Sequence, residues 1–207
     1  SNIASIPLII KNFFLRIEFY LIRRFEKIRV FDVRSINYLK KLGKKNQNIL
    51  ISRQGISLKD FPEQPSIKDI PNLTFGFFGT LERWQGLDLL LEIFRRIVNE
   101  YKDAVLYIIG DGSMKNYVKN KVKQLGLINN VVMVPAVSRR ELLTYWFQKF
   151  RFLILPRPKS LSSGLIPMKL IESIAAGKVI ITTSINPWID KLLKDCVIFI
   201  SDGEDIN

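Results

Sequence analysis

The feature that most narrows the fold is an alternation that runs from Leu73 to Ile200. Short apolar runs recur at 73–78, 104–109, 131–134, 152–155, 178–182 and 197–200, and helix-patterned segments separate them. Each run is strand length and apolar on both faces, as in a buried parallel strand. Between the first two, Leu87, Leu90, Leu91, Phe94, Ile97 and Val98 recur at three- and four-residue steps, the stripe of an amphipathic helix. The pattern predicts an α/β fold, a doubly wound Rossmann-like parallel sheet with helices on both faces. In such a sheet the loops after the strand C-termini form the ligand crevice.

The stretch Arg157 to Gly177, RPKSLSSGLIPMKLIESIAAG, stands out within that frame. It follows the run Phe152-Leu153-Ile154-Leu155, closed by Pro156, and leads straight into the strand 178–182. Its first part is a basic, Ser-rich loop ending in Ser162-Ser163-Gly164. Then comes a helix whose apolar face is read as Leu165, Met168, Ile171 and Ala175, flanked by Leu170 and Ile174. Gly177 occupies the left-handed position past the helix end. A Gly-containing loop before a helix presents backbone N–H groups and suits a phosphate. Glu172 lies two turns into this helix among apolar neighbours. Two readings stand for it: a carboxylate on the solvent side, or an acceptor for a sugar's hydroxyls.

Other loops carry further signals. The strand 73–78 ends in Gly79-Thr80 and a loop through Gly86, in which Trp84 reads as a lid on its own helix or a shield for a ligand loop. The strand 104–109 ends in Gly110-Asp111-Gly112, with Ser113 placed to cap the next helix. Ser138 and Glu141 have capping-box spacing after Pro135-Ala136-Val137. Asn186 and Pro187 suit the cap and first turn of a helix.

The first third differs in kind. Residues 1–60 hold 13 Lys/Arg against 4 Asp/Glu, a net +9, whereas 61–207 hold 19 against 15, a net +4. Ile6 to Leu42 reads as helix in one or two pieces, with a stripe of Phe13, Phe14, Ile17, Tyr20, Leu21, Phe25 and Ile28. An ordinary core-facing helix is the favoured reading of residues 1–30. The second is a basic amphipathic helix lying on an anionic membrane surface. Asn48–Ser52 reads as a strand, and the Pro-containing segment 61–66 as a hinge. The domains expected are therefore 1–66, the tail of one domain with its hinge, and 67–207, the Rossmann-like domain.

Composition excludes several chemistries. The chain has no His, so imidazole bases, Ser-His and Cys-His pairs and most transition-metal sites are absent; no metal is expected. Its single Cys196 allows no internal disulfide, fits a reducing compartment, and reads as a small core residue at a strand start. No apolar run reaches the length of a membrane span. The expected location is cytoplasmic, with peripheral attachment to the inner face of the membrane on the second reading of residues 1–30. The chain starts at Ser1 and stops at Asn207 soon after a strand, so a fragment is expected, lacking C-terminal helices. A lysine-rich background produces charge of this kind too, and no nucleic-acid recognition motif accompanies it, so no nucleic acid is expected as a partner.

The motifs together resemble the C-terminal, donor-binding half of a GT-B glycosyltransferase of the retaining family-four type. Phe78 to Asp88 resembles the family's first strand, phosphate loop and helix start. Leu106 to Gly112 resembles its hydrophobic strand followed by Gly-Asp-Gly, and Val131 to Leu142 its base-side strand and helix start. Pro167 to Lys178 resembles the Pro-x-Lys-x-x-Glu-x-x-Ala-x-Gly form of its donor helix. Ile49 to Ile56, with Phe61, resembles the lead into the linker, which makes residues 1–45 the last helices of an acceptor domain that is mostly absent. The resemblance implies retaining transfer of a sugar from a nucleoside-diphosphate sugar to an unknown sugar, lipid or protein acceptor, with no cofactor. It implies that Glu172 binds the donor ribose, that Ser163, Gly164, Leu165 and Ile166 hold phosphate and sugar, that Gly110, Asp111 and Gly112 face the nucleotide, and that Pro135 and Val137 lie beside the base. Gly79, Thr80, Arg83 and Gln85 belong to the phosphate loop.

Departures are visible. The first Glu of the family's Glu-x7-Glu falls on Gly164, and the diphosphate-neutralising Arg and Lys fall on Thr80 and Gln85. Arg83, Arg157, Lys159 and Lys169 are the cations at hand; Arg157 is the first choice as a substitute, and Lys169 serves phosphate or pairs with surface acids. Two functions follow: an enzyme half that is inactive alone, or a degenerate module that holds a nucleotide-sugar or a partner without turnover. A sugar-nucleotide epimerase of related fold is disfavoured because its His- and Arg-rich site is missing here.

Overall fold

The computed structural model describes residues 7–30, 33–52, 55–63, 67–156, 167–184 and 187–200. The chain divides into two compact units, Ser1–Gly55 and Ile56–Asn207.

The larger unit is the expected alternation. Its strands are β3 (Thr74–Phe78), β4 (Val105–Ile109), β5 (Val131–Val134), β6 (Phe152–Leu155), β7 (Val179–Thr183) and β8 (Val197–Ile200). Its helices are α3 (Leu87–Glu100), α4 (Lys115–Gln124), α5 (Arg139–Thr144), α6 (Met168–Ala175) and α7 (Pro187–Leu193). All strand pairs are parallel, in the order β5-β4-β3-β6-β7-β8. This is the doubly wound order, with the direction of winding reversing between β3 and β6.

The period of two along each strand sorts the core into two layers. Phe75 and Phe77 of β3, Leu106 and Ile108 of β4 and Ile154 of β6 pack with Leu87, Leu90, Leu91 and Phe94 of α3 and Val118 and Val122 of α4. On the other face Phe78, Ile109 and Leu153 pack with Leu142 and Leu143 of α5, with Phe147 and Phe150, and with Ala176. A third cluster, Leu155, Leu170, Ile180 and Val197, closes the β7–β8 side.

Several local expectations are met. Ser138 Oγ accepts the Glu141 N–H at 3.1 Å, so it caps α5. Glu141 does not complete a box; its carboxylate accepts from Trp146 Nε1 at 3.1 Å instead. Gly177 has φ 63°, the left-handed position past α6. Pro187 opens α7, while the cap assigned to Asn186 lies outside the described residues.

Others are corrected. Ser113 does not cap α4: its N–H and hydroxyl both donate to the Glu82 carboxylate, at 3.0 and 2.7 Å. The Ser113 backbone and then its hydroxyl hold the Glu82 pKa below its ordinary value. Cys196 is exposed in the turn before β8 rather than a core residue. In α6 the buried line is Leu170 and Ser173, leading to Ala176, and Met168 and Ile174 are exposed. Ser173 can face inward because its hydroxyl donates to the Lys169 carbonyl at 2.5 Å.

The smaller unit holds α1 (Leu8–Arg24), β1 (Ile28–Val30), α2 (Val33–Lys41) and β2 (Ile49–Ile51). The helix expected through Ile28 stops at Arg24, because Phe25 adopts an extended backbone and the β-branched Ile28 and Val30 pair in parallel with β2. Lys44 is buried and donates to the Phe25 carbonyl, fixing that exit. The stripe of α1 is not core-facing: Phe13, Phe14, Ile17, Tyr20 and Leu21 are exposed. No helix among the described residues is long and apolar enough to cross a membrane.

Candidate functional site

A crevice of about 390 Å³ opens where the fold predicts it, at the C-terminal ends of β3, β4 and β5. Phe78, Gly79 and Thr80 form the β3 wall, and Ile109, Gly110 and Asp111 the β4 wall. Ala136, Val137, Arg139 and Leu142 form the β5 side, and Glu172 of α6 closes it.

The walls are held together by a ladder that continues past the strands. Gly79 N–H donates to the Ile109 carbonyl (3.0 Å), Leu81 N–H to that of Asp111 (2.9 Å), and Gly110 N–H to that of Val134 (3.0 Å). The loops come so close that a Cβ on Gly110 would lie 1.9 Å from the Gly79 carbonyl oxygen. Gly110 also has φ 150°, a conformation a side chain disfavours, so both constraints demand glycine.

The polar rim is set by three side chains from distant parts of the chain. Arg139 follows the Ser138 cap and so starts α5 at the crevice. Its Nε donates to Glu172 Oε1 at 3.0 Å and its Nη1 to Asp60 Oδ2 at 3.1 Å. The Glu172 bond, with the Asp60 bond adding, raises the Arg139 pKa above its ordinary value. The Glu172 side chain is only 14% exposed, which overturns its reading as a solvent-side carboxylate. A carboxylate offers about four acceptor positions, so one bond from Arg139 leaves capacity for hydroxyl donors.

Of the residues singled out from sequence, Gly79, Thr80, Gly110, Asp111, Val137 and Glu172 line the crevice. Asp111 is an exposed carboxylate; Lys115 Nζ binds it at 2.6 Å and the Gly112 N–H at 2.9 Å, and these bonds, Lys115 first, lower its pKa. Pro135 is exposed, just ahead of the wall residues. Arg83 and Trp84 stand exposed in the 3₁₀ turn Arg83–Gln85. Gln85 turns inward: its Nε2 donates to Thr80 Oγ1 at 3.2 Å, and its Oε1 accepts from Lys169 Nζ at 2.6 Å. Lys169 Nζ thus reaches the turn after β3. Arg157, Ser163, Gly164, Leu165 and Ile166 lie outside the described residues.

Sequence reasoning missed Arg139 and Asp60. The signal for Arg139 was present, since the residue after an N-cap that follows a β-strand must sit at the crevice. Asp60 carried no such signal; it meets Arg139 only through the fold, 79 residues apart.

A doubly wound parallel sheet with a crevice at its switch point, walled by glycine turns and closed by a helix carboxylate, places the domain in the Rossmann-like α/β class. More narrowly, the chain belongs to the family of glycosyl transferases group 1, whose profile matches residues 60–205. An uncharacterized glycosyltransferase of Haemophilus influenzae is 27% identical over 125 residues, 60% of this chain and 33% of its own length. The chain thus spans about a third of that relative.

Solved structures share the fold. HepE of Anabaena, crystallised in complex with UDP-glucose, superposes with a TM-score of 0.69 at 17% identity, over 92% of this chain and 54% of its own. TarM of S. aureus gives 0.68 at 14% identity, over 90% and 36%. These neighbours are GT-B glycosyltransferases, in agreement with the resemblance and with the fold class expected from sequence.

Proposed function

We propose that this chain is the donor-binding part of a retaining glycosyltransferase, and that the crevice holds a nucleoside-diphosphate sugar. The observation that carries it is the largely buried Glu172 carboxylate, aimed by Arg139 at a crevice whose other walls are backbone turns and apolar side chains. Ribose hydroxyls donate to Glu172. The base lies along Ala136 and Val137, and the diphosphate lies toward Gly79 and Thr80. HepE, which shares this fold, was crystallised in complex with UDP and with UDP-glucose, and this supports a nucleotide-sugar as the ligand here.

In the reaction the bond between the sugar's anomeric carbon and the diphosphate oxygen breaks, and the acceptor hydroxyl takes the sugar with configuration retained. The nucleoside diphosphate leaves with the electron pair of the broken bond and takes up the proton that the acceptor hydroxyl loses, so donors at the phosphate end lower the barrier. The acceptor wall belongs to another domain, and a two-walled cleft needs both sides to align reactants and exclude water. This 207-residue chain accordingly binds donor without transferring sugar by itself. The protein works in the cytoplasm on this reading. The exposed Phe13 and Phe14, with Arg16 and Arg23 nearby in α1, favour peripheral contact with an anionic inner membrane surface. A second reading, a module that holds the nucleotide-sugar without turnover in any context, is favoured by Thr80, Gln85 and Gly164 standing where the family has charged residues.

The test is calorimetric titration with UDP, GDP and ADP and with their 2′-deoxyribose counterparts. The chain binds one ribonucleotide in preference to its deoxy form, and Glu172→Gln loses roughly tenfold in affinity, about 1.4 kcal/mol, together with that preference. Binding of none of the three, equal affinity for ribo and deoxy forms, or turnover by the chain alone would sink the respective part of the reading.

A further inference from the structure

We infer that Lys169 supplies the cation for the nucleotide's diphosphate, delivered from α6 across the switch point to the end of β3, with Gln85 and Thr80 as its cradle. The inference rests on the crevice being a nucleotide site.

Four observations converge on this ammonium. Its Nζ donates to Gln85 Oε1 at 2.6 Å, and Gln85 Nε2 in turn donates to Thr80 Oγ1 at 3.2 Å. That second bond fixes which end of the Gln85 amide faces the lysine. Nζ also lies 4.5 Å from the centroid of the fully buried Phe77 ring, a cation–π contact that holds the long stem in one place. A Cβ built on Gly79 would lie 3.9 Å from Nζ, so the charge sits beside the Gly79-Thr80 wall of the crevice.

The fourth is spacing. Lys169 precedes Glu172 by three residues on the same helix, so the two side chains share a face. Ribose and diphosphate are adjacent parts of one ligand. A single helix thus presents a carboxylate to the hydroxyls and an ammonium to the phosphates. An ammonium carries three donors and no acceptor, which suits it to a phosphate oxygen. Lysine suits this role as a compact point charge on a flexible stem.

The experiment uses the full chain, titrated with UDP, GDP and ADP and with uridine, guanosine and adenosine. Three proteins are compared: the unaltered chain, Lys169→Met, and the exchange variant Lys169→Gln with Gln85→Lys. Met keeps the stem over Phe77 and removes the charge. For the nucleotide that binds, Lys169→Met loses roughly tenfold or more in affinity, the scale of a charge-assisted hydrogen bond. Affinity for the matching nucleoside stays within about twofold. The exchange variant returns the charge from the other side of the same hydrogen bond and recovers most of the diphosphate affinity. An unchanged diphosphate affinity in Lys169→Met overturns the inference. So does an equal loss for nucleoside and diphosphate, or an exchange variant that recovers nothing, since either marks Lys169 as support for the fold. Failure of the unaltered chain to bind any nucleotide removes the crevice reading itself, and this inference with it.

Discussion

The two units use the same residue type in opposite ways. In Ile56–Asn207, Phe77, Phe94, Phe147 and Phe150 are fully buried. In Ser1–Gly55, Phe13 and Phe14 are 60% and 61% exposed. The difference is one of available surface. A six-stranded sheet has two faces, and α3 and α4 on one side with α5 and α6 on the other can close both. A two-stranded pair of three residues each has no area on which to seat a 17-residue helix stripe. Amphipathic patterning therefore states that a helix has an apolar face, and the neighbouring elements decide whether that face becomes core or interaction surface.

The sharpest way to break this comparison is to truncate one ring in each unit. Phe94→Ala removes a side chain packed edge-on against Phe75, and should cost about 3–5 kcal/mol in urea denaturation. A loss below about 1 kcal/mol would show that the larger unit is not close-packed around α3.

The closed unit also contains one charge that its packing opposes. Lys178, at the N-terminal end of β7 and so at the opposite end of the sheet from the crevice, is only 7% exposed. Burial pushes its pKa down from 10.5 to about 8. Because the folded pKa is the lower one, the unfolded chain binds the proton more tightly between pH 8 and 10.5. The penalty is present in full below pH 8, shrinks as pH rises through that window, and is gone above it. Lys178→Met should stabilise the protein by up to about 3 kcal/mol at pH 7, with the gain vanishing near pH 10.5. Nucleotide binding should not change. A gain that is the same at both pH values would assign the effect to packing rather than charge.

The smallest effect belongs to the open unit. Phe14→Ser should change folding stability by no more than about 0.5 kcal/mol, because the ring is already in water. The same change should weaken flotation with anionic vesicles. A large stability loss would place Phe14 in a packed interface, and unaltered flotation would remove the lipid reading of α1.

The architecture was legible because β-strands and helices have different apolar periods. Runs such as Val131–Val134 and Phe152–Leu155 sit where the pattern placed them. What escaped was β1, where three residues, Ile28–Val30, are too few for a period of two to stand out against the helix stripe before them. In the site, Gly79, Gly110 and Glu172 were legible because each broke a local rule: two glycines at strand ends, and a carboxylate in an apolar helix. Arg139, by contrast, broke no local rule, since a charged residue in a helix's first turn is ordinary.

The sequence by itself determined the doubly wound sheet, the end of the sheet that carries the crevice, and the family to which the chain belongs. These follow from periodicity and from local motifs, which need no knowledge of distant contacts. Only the tertiary structure decided what each polar residue faces. It joined Asp60, Arg139 and Glu172, and it carried Lys169 across to Gln85 and Thr80. The bonded pairs Arg139–Glu172, Asp60–Arg139 and Gln85–Lys169 are 33, 79 and 84 residues apart, so no local pattern encodes them. They meet because parallel strands β3 and β6 lie side by side at the switch point, which brings the loop after β3 up against the helix that follows β6.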